Sequence, residues 1–194
     1  MAAGDRGCPR RRLRTAAAEV ARPGEEEVDV GGCRLVVRRA GAGRPFLWAH
    51  GLTSSMARED EAGLCDLSRL RADHEVIRYD ARGHGRSGHA GGEDAYGWDA
   101  LADDLFAVAD ACGLDRFTAG GASMGAATTL HAAVARPERI EAMVLVIPPT
   151  AWESRPAQRG IYEGSAALVE DAGIEGLMAA RAALPPPPIF AGHP

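Results

Sequence analysis

The sequence contains no lysine, because all 22 of its basic residues are arginine. Together with the abundance of alanine and glycine, we interpret this as a compositional bias. The absence excludes one class of chemistry, since no primary amine side chain is available to form a Schiff base with a carbonyl substrate. The formal net charge of −5 also argues against a nucleic-acid-binding protein, because nothing favours approach to phosphates over the whole surface.

Cysteine is scarce as well, and the four cysteines form no C-x-x-C pair and no metal-like spacing to a histidine. We therefore predict no metal site and no disulfide framework, and we expect buried thiols in a cytoplasmic protein. No run approaches the roughly 18 apolar residues that a membrane helix needs, so no membrane partner is expected. The cysteines are Cys8, Cys33, Cys65 and Cys112.

The pattern along the chain divides it into three parts. Residues 1–24 lack periodicity and are predicted to be a disordered basic tail. Residues 25–150 are predicted to form the core, and residues 151–194 to begin a cap or lid. In the core, two short β-prone runs, Glu27–Val30 and Cys33–Arg39, join at Gly31-Gly32 and predict a hairpin.

Strand-like and helix-like stretches then alternate, which predicts parallel pairing with right-handed crossovers. The expected fold is a three-layer α/β/α arrangement around a mostly parallel sheet. No strand-like segment follows residue 147, so we expect the sheet to be incomplete at its C-terminal side. The remaining predicted strands are Pro45–Ala49, Glu75–Tyr79, Phe117–Gly120 and Ile140–Ile147. The predicted helices are Met56–Leu70, one capped by Asp99 and ending near Gly113, Ser123–Ala135, Ser165–Glu170 and Ile174–Ala183.

The most informative motif is Gly121-Ala122-Ser123-Met124-Gly125, which matches G-x-S-x-G between a predicted strand and a predicted helix. A serine in such a sharp turn needs neighbours without side chains two residues away on either side, because the strand and helix would otherwise clash. The serine would then project at the helix N-terminus, where partial positive charge favours a developing oxyanion. The alternative is that Ser123 only caps the helix.

A second motif, His50-Gly51-Leu52, directly follows the apolar strand that ends at Ala49, and a glycine-rich stretch, residues 79–88, follows the next strand. In this order the motifs resemble the α/β-hydrolase superfamily, and in particular its esterase, lactonase and haloperoxidase-like members. The resemblance covers roughly residues 28–150. It implies a hydrolase that uses no cofactor and acts on a small-molecule ester, lactone or related acyl substrate.

The resemblance also implies roles for individual residues. Ser123 would be the nucleophile, and the backbone N–H groups of Leu52 and Met124 would form the oxyanion hole. His50 would orient its loop rather than transfer protons, and His84 would belong to the structural loop. The supporting residues of the two motifs are His50, Gly51, Gly121 and Gly125.

The expected partners of the serine are missing from the sequence pattern. In this superfamily an acid and then a histidine follow the serine along the chain, yet only His131 and His193 remain after Ser123. His131 would lie about 12 Å along the helix from the serine, and no strand precedes His193. We therefore expect a truncated copy with impaired hydrolysis. The alternative is a non-catalytic remnant or binding module with the same fold, while perhydrolysis, acyl transfer and the oligomeric state stay open.

Overall fold

A computed structural model describes residues 24–63, 66–89, 91–149 and 155–184. The chain divides into two compact units, Met1–Pro149 and Thr150–Pro194. The predicted basic tail lies outside the described residues except for Gly24, as do Cys8, Cys65 and His193. Among the described residues, no helix is both long enough and apolar enough to cross a membrane.

The first unit is built on one six-stranded sheet, in the order β1-β2-β4-β3-β5-β6. Strand β1 pairs antiparallel with β2, and β2 pairs antiparallel with β4, while the pairs β3–β4, β3–β5 and β5–β6 are parallel. The predicted α/β fold with a mostly parallel sheet is therefore confirmed. The strands are β1 Glu25–Val30, β2 Cys33–Gly41, β3 Arg44–Ala49, β4 His74–Tyr79, β5 Phe117–Ala122 and β6 Ile140–Val146.

The predicted hairpin is also confirmed, with β1 and β2 joined at Gly31 and Gly32. Both glycines have positive φ, 59° and 83°. Positive φ at both central residues is the geometry that a tight hairpin turn with right-handed strand twist requires.

Helices and short 3₁₀ turns connect the strands. The α-helices are α1 Met56–Ala62, α2 Trp98–Ala111, α3 Met124–Ala135 and α4 Arg155–Ala182, and the 3₁₀ turns are Ser68–Ala72, Glu93–Tyr96 and Pro137–Arg139. Helix α4 lies in the second unit and the others in the first.

Apolar side chains of the central strands alternate between the two faces of the sheet, as the pleat dictates. Leu47 belongs to the larger core cluster, which contains buried residues of α2 and α3. Its neighbours Phe46 and Trp48 belong to a second cluster on the other face, where the Trp48 indole N–H donates to Glu59 of α1. Elements on both faces give the predicted three layers.

Two predicted helices in the core have different bounds. The single helix expected over 56–70 ends at Ala62, because Gly63 takes a left-handed conformation with φ of 62° and caps it, and a separate 3₁₀ turn follows. Asp99 does not cap α2: Gly97 is the N-cap, and Asp99 lies in the first turn, where its negative charge still favours the helix dipole.

The two helices predicted in the last part of the chain correspond to two helical parts of α4 that meet at a kink. Helix α4 runs from Arg155 to Ala182, with a kink at Gly173, whose φ is 73° and ψ −179°. The predicted break between Glu170 and Ile174 therefore corresponds to a kink, since glycine permits a backbone conformation that interrupts the helical geometry without ending the segment.

Candidate active site

Ser123 lies at the turn between strand β5 and helix α3. Its φ of 51° and ψ of −108° fall outside the regions that non-glycine residues normally occupy. Ser123 is half-buried, and although it occupies the N-cap position of α3, its side chain makes no capping hydrogen bond. A strained serine whose hydroxyl does not cap its own helix fits a nucleophile elbow better than a simple cap.

The two glycines of the motif lie where no Cβ would fit. A Cβ on Gly121 would lie 2.3 Å from the carbonyl carbon of Gly125, so strand β5 and helix α3 touch there through backbone atoms. A Cβ on Gly125 would lie 2.0 Å from the carbonyl oxygen of Ala49, at the end of strand β3. The second contact was not predicted, and it packs the start of α3 against the strand that leads into residues 50–53.

The loop after β3 lies beside the serine. A Cβ built on Gly51 would be 3.7 Å from the Cβ of Ser123, which is van der Waals distance. Leu52 follows with its side chain 46% exposed, and the next residue, Thr53, has a positive φ of 60°. The first hydrogen bond of α3 runs from the Ala127 amide to the Ser123 carbonyl, so the Met124 amide precedes the helical ladder and has no partner within it.

His50 is buried and makes two hydrogen bonds that fix its tautomer. The amide of Ala81 donates to Nε2 at 3.0 Å, so Nε2 carries no proton. Nδ1 therefore carries the proton and donates to the carbonyl oxygen of Gly51 at 2.8 Å. Burial lowers the pKa of His50 below its ordinary value of 6.5. With both ring nitrogens engaged, this histidine holds the loop and has no free nitrogen for proton transfer.

The stretch from residue 80 to residue 88 is held by its own side chains. Asp80 accepts hydrogen bonds from the amides of Met56 and Arg86, at 2.7 and 2.9 Å. His84 bonds through Nδ1 to the carbonyl of Arg82, and its ring centroid lies 5.2 Å from that of His50. These contacts agree with the predicted structural role of this loop.

A buried ion pair ties the same loop to helix α2. Arg82 donates from Nε and Nη2 to the two carboxylate oxygens of Asp104, at 2.6 and 2.5 Å. The hydrogen bonds that Arg82 donates to Asp104 raise the pKa of Arg82 above its usual range, so the guanidinium stays charged. Bidentate geometry of this kind fixes orientation as well as distance.

No histidine among the described residues is hydrogen-bonded to the Ser123 side chain. His131 is exposed on α3 and stacks on Trp98, with ring centroids 5.5 Å apart. The acidic residues of the second unit that the structure describes are on α4, and Glu153 lies outside the described residues. Within the described part of the chain, no group of three or more histidine, cysteine, aspartate or glutamate residues could hold a metal. The α4 acids are Glu163, Glu170, Asp171 and Glu175.

The hydrogen bond that the His50 ring accepts had no sequence signal. Its donor is the backbone amide of Ala81, 31 positions along the chain. Because every residue except proline carries such an amide, the sequence does not mark which one donates to His50. The predicted buried thiols are confirmed for Cys33 and Cys112, which belong to the core cluster.

Comparison with known proteins gives relatives that share this architecture. A protein of Rhizobium rhizogenes provisionally named the carbamate hydrolase RutD is 32% identical over 59% of the chain and 43% of its own length. The 2-(acetamidomethylene)succinate hydrolase of Mesorhizobium japonicum is 29% identical over 79% of the chain and 54% of its own length. The chain thus spans about half the length of these curated relatives.

Solved structures agree with the sequence relatives. A hydrolase from Pseudomonas aeruginosa superposes with a TM-score of 0.72 at 26% identity, covering 88% of the chain and 62% of that structure. Residues 44–161, more than half of the chain, match the family model of the alpha/beta hydrolase fold. The chain belongs to the α/β-hydrolase family.

Proposed function

We propose that this chain is a serine-dependent hydrolase whose substrate is a small molecule with an ester, lactone or related acyl group. The observation that carries the proposal is the strained backbone of Ser123, which has φ of 51° at the start of α3 and lies beside the loop at Gly51. The names of the relatives, one a carbamate hydrolase and one an acetamidomethylene-succinate hydrolase, agree with attack on an acyl carbon.

In the proposed reaction the Ser123 hydroxyl oxygen adds to the acyl carbon, and the carbonyl oxygen becomes an oxyanion. The N–H groups of Leu52 and Met124 donate to that oxyanion, which stabilises the tetrahedral intermediate by several kcal/mol. The hydroxyl proton of Ser123 passes to water during this attack. Collapse of the intermediate breaks the bond to the leaving group, which takes a proton from water as it departs. Water then attacks the acyl-serine, releasing the acid and restoring the hydroxyl.

His50 supports this reaction as a positioning residue. Its Nδ1–H holds the Gly51 carbonyl at 2.8 Å, and a fixed carbonyl at residue 51 fixes the peptide plane that carries the Leu52 amide. Because Nε2 is already engaged by the Ala81 amide, His50 does not accept the proton of Ser123.

Turnover by this chain is expected to be slow. A serine hydroxyl is a weak nucleophile until a base removes its proton, and no described histidine bonds to Ser123. The elbow and the oxyanion hole alone sustain about 10³- to 10⁴-fold acceleration over water in serine hydrolases that have lost their triad. The proposed activity is therefore acylation by activated esters, followed by slow deacylation.

The alternative function is a binding module that keeps the fold without turnover, and the exposed position of His131 favours it. The two are separated by incubating the chain with p-nitrophenyl acetate and measuring p-nitrophenol release together with acetyl addition by mass spectrometry. The hydrolase proposal predicts an acetyl group on Ser123 and loss of the release above background in Ser123→Ala. Ser68→Ala, which removes an exposed hydroxyl elsewhere, should react like the wild type. Equal release by wild type and Ser123→Ala would favour the binding module.

A further inference from the structure

Three non-glycine residues have positive φ in the described part of the chain, and all three lie just after neighbouring parallel strands. Thr53 follows β3 with φ of 60°, Ser123 follows β5 with φ of 51°, and Ile147 follows β6 with φ of 40°. Strands β3, β5 and β6 are adjacent in the sheet. Two of these residues belong to the proposed site, as the nucleophile and the neighbour of Leu52, and the third has no role in it.

The conformation of Ile147 is unfavourable for two reasons. Isoleucine is β-branched, and positive φ in such a residue is a genuine outlier. Residue 148 is proline, which favours an extended conformation in the residue before it. The Ile147 side chain is 50% exposed, so deep packing does not hold it in this conformation. Strain of this kind clusters at active sites and ligand clamps.

Ile147 is also next to Ser123 across the sheet. The Ser123 amide donates to the carbonyl of Val146 at 3.0 Å, and Ala122 is opposite Val146 in the register of β5 and β6. Because adjacent strands lie about 4.8 Å apart, the residue after Val146 is within reach of a group bound at Ser123. Ile147 thus places an exposed aliphatic side chain one residue past Val146, on the strand adjacent to the one that ends at Ser123.

We propose that Ile147 is a specificity-determining residue whose side chain forms an apolar wall for the acyl group of the substrate. The inference rests on the proposed acylation of Ser123 and adds to it the part of the substrate that Ile147 contacts. The wall limits the length of the acyl chain, so that short acyl groups react and long ones are hindered. The strained backbone keeps this wall at the carboxyl edge of the sheet, beside the serine.

The test compares acylation rate constants for p-nitrophenyl acetate, butanoate and octanoate in the full chain and its variants. Ile147→Ala removes the wall and should raise the octanoate-to-acetate ratio of rate constants by roughly tenfold, the effect of changing the fit of an apolar pocket. Ile147→Phe enlarges the wall and should lower the ratio. Val134→Ala, at a position that is 84% exposed on α3, should leave the ratio unchanged.

A second measurement separates specificity from folding. Ile147→Gly removes the wall and accepts positive φ without strain, so its Tm should equal or exceed that of Ile147→Ala while its octanoate-to-acetate ratio rises. Unchanged ratios in all three Ile147 variants, with Ser123 still acylated, would overturn the inference and leave the proposed function standing. A wild-type chain that no ester acylates at Ser123 would overturn both.

Discussion

Gly125 is the residue through which helix α3 contacts strand β3. Its missing side chain lets the backbone of α3 approach the Ala49 carbonyl so closely that a Cβ would lie 2.0 Å from the oxygen. The neighbouring atoms belong to backbone, so they cannot rotate away as a side chain could. The contact couples the start of α3, and with it Ser123, to the strand that leads into the loop at Gly51.

We predict that Gly125→Ala lowers the free energy of unfolding by about 3 kcal/mol, the upper part of the range for overpacked sites. The added methyl group must separate α3 from β3, so the acylation of Ser123 should fall as well. The matched control is Gly91→Ala, at a glycine with open space around it and no positive φ, which should change stability by less than about 1 kcal/mol. Urea unfolding measures the free energy of unfolding of both variants. Equal values for Gly125→Ala and Gly91→Ala would contradict a close backbone contact at Gly125.

His50 gives a prediction for pH. Its pKa is lowered by burial in the folded state, so the unfolded chain binds a proton more readily than the folded chain as the solution becomes acidic. The contribution of neutral, buried His50 to the free energy of unfolding is fully present above the ordinary pKa of 6.5. It is lost as the pH falls from there towards the lowered pKa of the folded state. The groups facing the ring include His84, whose charge would lower the pKa further, and Asp80, whose charge opposes the lowering.

We therefore predict that the free energy of unfolding of the wild type decreases on acidification below about pH 6.5, by at most about 1.4 kcal/mol per pH unit for one proton. His50→Asn cannot titrate, so its stability, although lower at neutral pH, should depend less on pH over the same window. His131→Asn, which removes an exposed imidazole, should keep the wild-type slope. A wild-type slope in His50→Asn would show that another group carries the effect.

At the scale of elements, strand β6 is notable because it pairs on one side only. Its partner is β5, and no other strand among the described residues pairs with it. Met143, Val144 and Val146 are 40–45% exposed. An apolar strand with free backbone N–H and C=O groups is a template for pairing with another chain.

We predict that Val144→Lys reduces concentration-dependent association of the chain, because a charged side chain on an edge strand opposes strand-to-strand pairing. Val134→Lys introduces the same charge on helix α3 and should have a smaller effect. Light scattering over a range of protein concentrations measures both. If the two lysine variants were equally resistant to association, net charge rather than the β6 edge would be responsible.

The sequence predicted the strands better than the helices. Each predicted core strand overlaps an observed one, because short apolar runs bounded by glycine or proline leave few alternatives. Helix bounds depended on single residues: Gly63 ends α1 early, and Gly97 replaces Asp99 as the cap of α2. In the site, the spacing of Gly121 and Gly125 around Ser123 was predictable, since the turn demands it. The positive φ of Ile147 was not, because neither isoleucine nor a following proline favours it.

At the scale of the whole molecule, the order of the strands in the sheet brings the segments of the proposed site to one edge. Parallel strands have their carboxyl ends at one edge, and the adjacent strands β3, β5 and β6 lead there into residues 50–53, Ser123 and Ile147. These segments are separated by up to about a hundred residues along the chain, yet the crossover helices return each strand to the same edge. Ligands of open α/β sheets bind at such an edge.

The most direct test of the central claim, a Ser123 hydroxyl facing two backbone amides, is a crystal structure of the chain after reaction with an alkyl phosphonate ester. The phosphonyl oxygen of the adduct stands in for the oxyanion of the tetrahedral intermediate. The account predicts phosphorus bonded to the Ser123 oxygen, with the phosphonyl oxygen about 2.7–3.1 Å from the amide nitrogens of both Leu52 and Met124. An adduct whose phosphonyl oxygen points away from both amides, or a phosphonate attached to a residue other than Ser123, would contradict it.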